Sequence, residues 1–457
     1  MLYDNLLLAL KKRKEKGILR GLKRFATLQD PSNTPKDVPT SSLPLVDFSS
    51  NDYMGLARSK ALKQDTIKRM QDHGNMLVGS TGSRLLDGNS EEHEQLELRL
   101  AQHFSAQSAL LFNSGYDANT SMLSVMPQPN DVILYDELVH ASMHDGMRSS
   151  RIPSSRRIPF KHNNLDDFTL KLQDAWEICQ AKDANVIVAV ESVYSMDGDI
   201  CPLPQLIAIL NKHVPQNSRC LIVDEAHAVG LYGLNGSGIC EAMGLQDSVD
   251  VRLATFGKAF GCSGAAALCS DLIRLYLINY ARPLIYSTAL PHPALFTIQA
   301  ALDLLNTPDG TLRAQHTFFL THLFIERLHG LMGNVSATGG TKHVQLPKDI
   351  QKRLNSSPSF TEKRKEHPLS IPQPPIVPIL TSHAHDLAKY LVSHGYLVRP
   401  IVYPTVPRGS ERVRICIHAH NTQEQVIGLT ECVAKWIEDG KVITGDGFRG
   451  QVEKAKL

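Results

Sequence analysis

Lys258 lies in Thr255 to Gly261, which reads TFGKAFG: small and apolar neighbours, with glycines at 257 and 261 that let backbone approach a ligand closely. Such a lysine suits imine formation with a carbonyl better than a solvated surface role. About thirty residues upstream, Leu221 to Gly230 reads LIVDEAHAVG, a buried-looking strand that delivers Asp224 and His227 at its C-terminal end. These are the groups a pyridoxal phosphate (PLP) site needs. The lysine holds the aldehyde, and the carboxylate keeps the ring nitrogen protonated so that the ring can withdraw electrons from a substrate carbon. The order strand, Asp, Lys is common to many PLP enzymes and specifies no reaction by itself.

Further candidates follow predicted strand ends. Asn113 to Thr120 reads NSGYDANT, and Ser114 and Gly115 open a helix whose free amides and positive dipole end suit a phosphate. In DELVHAS, His140 is placed where a flat ring can stack on a cofactor, and in ESVYSMDGDI, Ser195 is a candidate cofactor contact beside an Asp-Gly turn. His227, three residues beyond Asp224, is within reach of the cofactor's phenolic oxygen. The DEAH string also occurs at strand ends of nucleic-acid helicases. A helicase needs GxxxxGK[ST] to hold its phosphates, and Lys258 is followed by Ala259, so that reading is rejected.

The elements that must position these residues form an α/β pattern. Strand-like runs at Ala109 to Phe112, Asp131 to Tyr135, Asn185 to Val190, Cys220 to Val223, Leu253 to Thr255 and Ala265 to Cys269 alternate with helical segments. That predicts a mostly parallel sheet covered on both faces, with ligands at the carboxyl ends of its strands. From Glu91 the run EEHEQLELRLAQHF predicts a helix with Ser90 as its cap. Four regions are expected. Residues 1–45 form an N-terminal helix, whose basic amphipathic face packs on the main body, and a connecting arm. Residues 46–292 form a large cofactor-binding domain, 293–443 a smaller α+β C-terminal domain and 444–457 a flexible tail. The polar, proline-rich stretch from Ser336 to Pro378 reads as an exposed loop.

Composition excludes several classes. With 457 residues, 42% hydrophobic content, 21% charged residues and a net charge of +2, nothing points to nucleic acid as a partner. No apolar run reaches the length of a membrane span, and no cleavable secretory signal is seen. The eight cysteines lack zinc-site spacing and read as reduced core residues, with no metal expected. Ala455, Lys456 and Leu457 match the small, basic, leucine pattern of the peroxisomal C-terminal address. The expected location is therefore the peroxisome, with its import receptor as a partner.

Read together, these strings resemble the α-oxoamine synthases, which have the type I PLP-dependent aminotransferase fold. SSNDYMGL from Ser49, GSTGSRLLDGNSEEHEQLE from Gly79, FNSGYDAN, VHAS, SMDGD, VDEAHAVG, TFGKAFG, YST from Tyr286 and YPTVPRGSERVR from Tyr403 occur in the family's order. The resemblance implies a decarboxylating condensation of an amino acid with an acyl-CoA. SSNDY and GSRLLDGNS are most similar to the branch that joins alanine to pimeloyl-CoA in biotin biosynthesis. By the same resemblance, Lys258 is the imine-forming lysine and base, Asp224 the ring-nitrogen partner, His140 the stacking residue and His227 the phenolate contact. Gly115, Tyr116, Ser195 and Thr255 are further cofactor contacts, and Thr288 is a phosphate contact lent by the second subunit of a homodimer with shared active sites. Arg414 is implied to hold the amino-acid carboxylate, Asn51 and His140 to bind substrate, and Thr405 and Arg20 to lie near the acyl substrate.

Two departures concern the acyl end. Val402 stands where bacterial relatives carry an arginine near the acyl carboxylate, with Arg399 three residues earlier, and the 336–378 loop is longer than the family pattern. Sister reactions of the family therefore stay open: 5-aminolevulinate, 2-amino-3-ketobutyrate or long-chain amino ketone synthesis. A non-catalytic subunit would have lost the imine-forming lysine, and Lys258 is present.

Overall fold

The computed structural model describes residues 1–15, 18–19, 21–22, 45–74, 77–336, 344–355 and 371–439. Arg20, most of the 336–378 loop and the tail with Ala455 to Leu457 lie outside the described residues. Strands are numbered in chain order: β1 (Val46–Asp47), β2 (Ser108–Phe112), β3 (Val132–Asp136), β4 (Arg157–Phe160), β5 (Val186–Glu191), β6 (Arg219–Asp224), β7 (Val251–Thr255), β8 (Ala265–Cys269), β9 (Ile376–Leu380), β10 (Tyr396–Leu397), β11 (Arg399–Ile401) and β12 (Arg412–Cys416).

Seven strands form the main sheet in the order β2-β8-β7-β6-β5-β3-β4, and only β8 runs antiparallel to its neighbours. The central strands are apolar along most of their length because helices cover both faces. Every residue of β5, β7 and β8 is buried. The edge strand β4 was not expected from the sequence. Its RIPF lacks an apolar run, and Pro159 cannot donate to a ladder, a residue tolerated at an edge.

The second, smaller core belongs to the antiparallel sheet β11-β12-β9 and the helices Ala384–Ser393 and Gln423–Asp439. It also takes Val46 and Phe48, because β1 pairs in parallel with β10. The helix His292–Leu305 packs in the first core through Leu295, Ile298 and Leu302. The boundaries drawn at 46 and 293 are thus displaced. The chain crosses from one core to the other within the helix Pro308–Ser336, where Phe318 packs in the first and Leu320 in the second. Pairing between residues some 350 positions apart leaves no local signal, which is why the boundaries were misplaced.

At the N-terminus the helix Leu2–Glu15 forms, but none of its residues is buried, contrary to a face packed on the body. Ser90 precedes the helix Glu91–His103 without capping it; its hydroxyl bonds His93 Nδ1 at 2.8 Å. No helix among the described residues is long and apolar enough to cross a membrane.

Candidate active site

A cavity of about 380 Å³ opens at the carboxyl edge of the main sheet. Its floor is made by residues that end strands: Glu191 on β5, Asp224 on β6 and Thr255 on β7, with Gly264 entering the reversed β8. Strand register sets this layout. Glu191 and Asp224 are direct partners across β5 and β6.

Asp224 is 5% exposed, and both its carboxylate oxygens are engaged: Asn119 Nδ2 donates to Oδ2 at 2.7 Å and the Ala226 amide to Oδ1 at 2.9 Å. Asn119 also donates to Ser142 Oγ at 3.1 Å, and Ser142 Oγ lies 2.8 Å from His140 Nδ1. The Ser142 amide donates to that same nitrogen, so Nδ1 is the acceptor and Nε2 carries the proton. His140 is thereby locked as the cap of the helix Ala141–Ser149 with its ring lining the cavity.

Lys258 Nζ is 3.0 Å from His227 Nε2, and His227 Nδ1 is 2.8 Å from the Tyr53 hydroxyl. Burial, aided by the charges of Lys258 and Arg414, holds the His227 pKa well below the usual imidazole range, so the ring is neutral. Nε2 then accepts from Lys258, and Nδ1–H donates to Tyr53. The tyrosine hydroxyl donates onward to Asn51 Oδ1 at 3.1 Å. Arg414 closes the chain. Its guanidinium donates to Asn51 Oδ1 at 3.1 Å and to the Tyr53 oxygen at 3.2 Å. Burial lowers the Lys258 pKa against the opposing pull of Asp224 and Glu191, which brings its amine nearer to serving as a base. Burial, together with the Asp224 charge, pushes the Glu191 carboxyl well above the usual carboxylate range.

PLP fits these residues. Ser114 caps the helix Gly115–Val125, its hydroxyl accepting from the Asp117 amide, so the first turn points free amides at the cavity. Gly115 is required there, since a Cβ would stand 2.5 Å from Thr255 Cγ2. Thr255 Oγ1 is buried and has no hydrogen-bond partner within the described residues, as expected of a hydroxyl that serves an anion. The helix start, Thr255 Oγ1 and Lys258 would hold the phosphate and aldehyde end. Asp224 would hold the ring nitrogen and His140 the ring face.

Of the residues singled out from the sequence, Asn51, Gly115, Tyr116, His140, Asp224, His227, Thr255 and Lys258 line the cavity. Tyr116 does so with its hydroxyl donating to Asp145. Arg414 is buried behind Asn51 and is not among the lining residues, and neither is Ser195. Ser195 participates through its backbone, its carbonyl accepting from Arg414 Nε at 2.6 Å. Thr288 is exposed and reaches the site only through its carbonyl, which accepts from Asn113 Nδ2 at 2.8 Å. Thr405 is exposed and away from the lining. Asn119, Ser142, Tyr53 and Glu191 were missed. Asn119 had a signal, lying one helical turn beyond Gly115 and hence on the same face.

The family model for aminotransferase class I and II matches residues 44–431. An 8-amino-7-oxononanoate synthase of Emericella nidulans is 42% identical over 88% of this chain and 90% of its own length. An aminoacyl transferase sphA of Aspergillus fumigatus is 34% identical over 90% of this chain and 84% of its own. Among solved structures, Sphingomonas wittichii serine palmitoyltransferase is similar in fold, with a TM-score of 0.75 at 22% identity, covering 96% of this chain and 98% of that one.

Proposed function

Because this chain belongs to the class I and II aminotransferase family and, within it, to the α-oxoamine synthases, which are PLP-dependent acyltransferases, we propose that it condenses L-alanine with pimeloyl-CoA. The products are 8-amino-7-oxononanoate, CoA and CO₂. The observation that carries the reading is the donor chain Lys258, His227, Tyr53, Asn51, Arg414. It places a desolvated amine at one end and a guanidinium suited to a carboxylate at the other. The choice of substrates is supported by the 42% identity to an 8-amino-7-oxononanoate synthase.

PLP supplies the electron sink that makes the amino acid's α-carbon acidic. The chain supplies the rest. Asp224, fixed by Asn119 and the Ala226 amide, holds the negative charge that keeps a pyridine nitrogen protonated. Arg414 and Asn51 bind the amino-acid carboxylate and so orient the α-hydrogen. Lys258 would hold the cofactor's aldehyde and, as a free amine, would take the α-proton at Nζ. Neutral His227 keeps that amine in place from Nε2. The α-carbon then bonds the thioester carbonyl carbon, the C–S bond breaks, and CoA leaves. The substrate carboxylate departs as CO₂, and Lys258 returns a proton to the α-carbon.

A homodimer in which Thr288 of one copy serves the phosphate of the other belongs to the same proposal. It is supported by the exposure of Thr288, whose carbonyl accepts from the cavity residue Asn113, and of Tyr286, 71% exposed. A sister reaction of the family with another acyl thioester is the second reading, favoured by the 34% identity to an aminoacyl transferase sphA. The test is CoA release by the PLP-loaded protein, offering alanine, glycine and serine each with pimeloyl-, succinyl-, acetyl- and palmitoyl-CoA. Turnover confined to alanine with pimeloyl-CoA is expected. Preference for palmitoyl-CoA transfers the protein to the second reading.

A further inference from the structure

Outside the cavity, His162 is held between two carboxylates. Its Nδ1 is 2.9 Å from Asp136 Oδ1, at the end of β3, and its Nε2 is 2.6 Å from Asp199 Oδ2. A ring whose two nitrogens both face carboxylate oxygens donates from both, and is therefore an imidazolium. Burial opposes that charge, but the two aspartates outweigh it and raise the His162 pKa to about 10. Tyr194 packs edge-on against the ring with centroids 4.4 Å apart. Among the described residues, the ion pairs of Asp136 and Asp199 are both to His162. Asn163 completes the clamp, its Nδ2 donating to Asp199 Oδ2 at 2.6 Å and its amide to Asp136 Oδ2 at 2.9 Å.

Asp199 closes the turn 195–199, and that turn reaches the second core. The Ser195 carbonyl accepts from Arg414 Nε, and the Met196 carbonyl and Asp197 carboxylate bond Arg412, both arginines lying on β12. Gly198, at φ 65°, leaves no room for a Cβ, which would stand 2.0 Å from the Ile376 carbonyl oxygen. Gln373 Nε2 donates to the Gly198 carbonyl at 2.7 Å. The turn is thus wedged between the His162 clamp on one side and β9 and β12 on the other. Arg414 has three sets of partners: Asn51 with Tyr53, Cys416 Sγ at 2.9 Å, and the Ser195 carbonyl. Of these, the Ser195 carbonyl is the shortest contact and engages Nε, leaving the two terminal nitrogens toward Asn51 and Tyr53.

We propose that His162 is a positioning residue for the amino-acid carboxylate subsite: bridging Asp136 and Asp199, it fixes the 195–199 turn so that the Ser195 carbonyl aims the Arg414 guanidinium. This rests on the reading of Arg414 as the group that binds the substrate carboxylate. Without the imidazolium, two largely buried carboxylates would be left without a counter-charge, and the turn carrying Asp199 would swing away from Asp136. None of His162, Asp136 and Asp199 lines the cavity, so the effect travels through Ser195 and Arg414 to Asn51, which does.

The experiment titrates PLP-loaded, full-length protein with alanine, glycine and serine, following the change in visible absorbance. It compares wild type with His162→Gln, Asp199→Asn, Arg414→Gln and the double variant His162→Gln/Arg414→Gln. His162→Gln is expected to weaken amino-acid binding about tenfold, with cofactor affinity, the resting spectrum and the KM for the acyl-CoA unchanged. On the Arg414→Gln background it is expected to add less than about twofold, since its effect passes through that arginine. Asp199→Asn carries the same test if His162→Gln does not fold, and is expected to weaken amino-acid binding in the same way. Wild-type amino-acid affinity in the single variants overturns the proposal. So does an equal penalty in the double variant, or a parallel loss of cofactor affinity, which is the mark of general structural damage. If Arg414→Gln itself leaves every amino acid bound as tightly as before, the reading of Arg414 fails, separately from the role of His162.

Discussion

The two ends of the active site are built differently. At the cofactor end, Glu191, Asp224 and Thr255 terminate adjacent strands of one sheet, are all buried, and are fixed in space by β-ladder register. At the acyl end as proposed from the family resemblance, Val402 and Thr405 follow the three-residue strand β11, and Thr405 is exposed. Arg399 sits on that short strand directly opposite Arg414, so the two side chains share a face. A ladder holds side chains to a fraction of an ångström, whereas a short strand and an exposed segment can be rebuilt without disturbing a core. On the proposed reading, the rigid end specifies the reaction and the adaptable one the acyl chain.

The sharpest way to break this contrast is at Lys258. Lys258→Ala should lower turnover by at least about 1,000-fold with every acyl donor and abolish the visible band of the lysine-bound cofactor. A variant retaining that band would remove Lys258 from its assigned role. Next in size is Arg414→Gln, expected to cut kcat/KM for the amino acid by about 30- to 100-fold while leaving the acyl-CoA KM within about twofold. Steady-state kinetics with each substrate varied in turn would show it.

Much of the rigid end was legible in the sequence. Parallel strands buried on both faces read as short apolar runs, and the polar residues just after them, Asp224, His140 and Gly115, stand where such sheets bind ligands. Tyr53 and Glu191 were not legible as site residues because their roles are set by three-dimensional partners: Tyr53 meets His227 across 174 positions, and Glu191 pairs with Asp224 on the neighbouring strand. Ser195 was expected to contact the cofactor; it does not line the cavity, and its carbonyl instead holds Arg414. The acyl end stayed illegible because no ladder or periodic pattern fixes Thr405, and Arg20 lies outside the described residues.

Two smaller effects sharpen the comparison. Thr405→Ala should raise the acyl-CoA KM by about threefold or less and leave amino-acid binding unaltered, as measured by kinetics at saturating amino acid. The His162 clamp should appear in the pH dependence of stability. Its folded pKa of about 10 lies above the ordinary 6.5, so the folded form binds the extra proton. The stability it contributes is then complete below about pH 6.5 and is lost as pH rises through about 10. Urea midpoints for wild type and His162→Gln should converge over that range; the groups facing the ring are Asp136, Asp199 and Tyr194. Midpoints that diverge with rising pH would contradict the imidazolium.

The measurement that bears most directly on the account is exchange of the alanine α-hydrogen in deuterated water, followed by proton NMR, with PLP-loaded protein and no acyl donor. It reads proton removal at the cofactor end alone, whatever the acyl chain. Wild type should exchange the α-hydrogen at a rate proportional to enzyme concentration, and Lys258→Ala should not exchange it. Exchange persisting in Lys258→Ala, or absent from wild type, would contradict the assignment of Lys258 as the base.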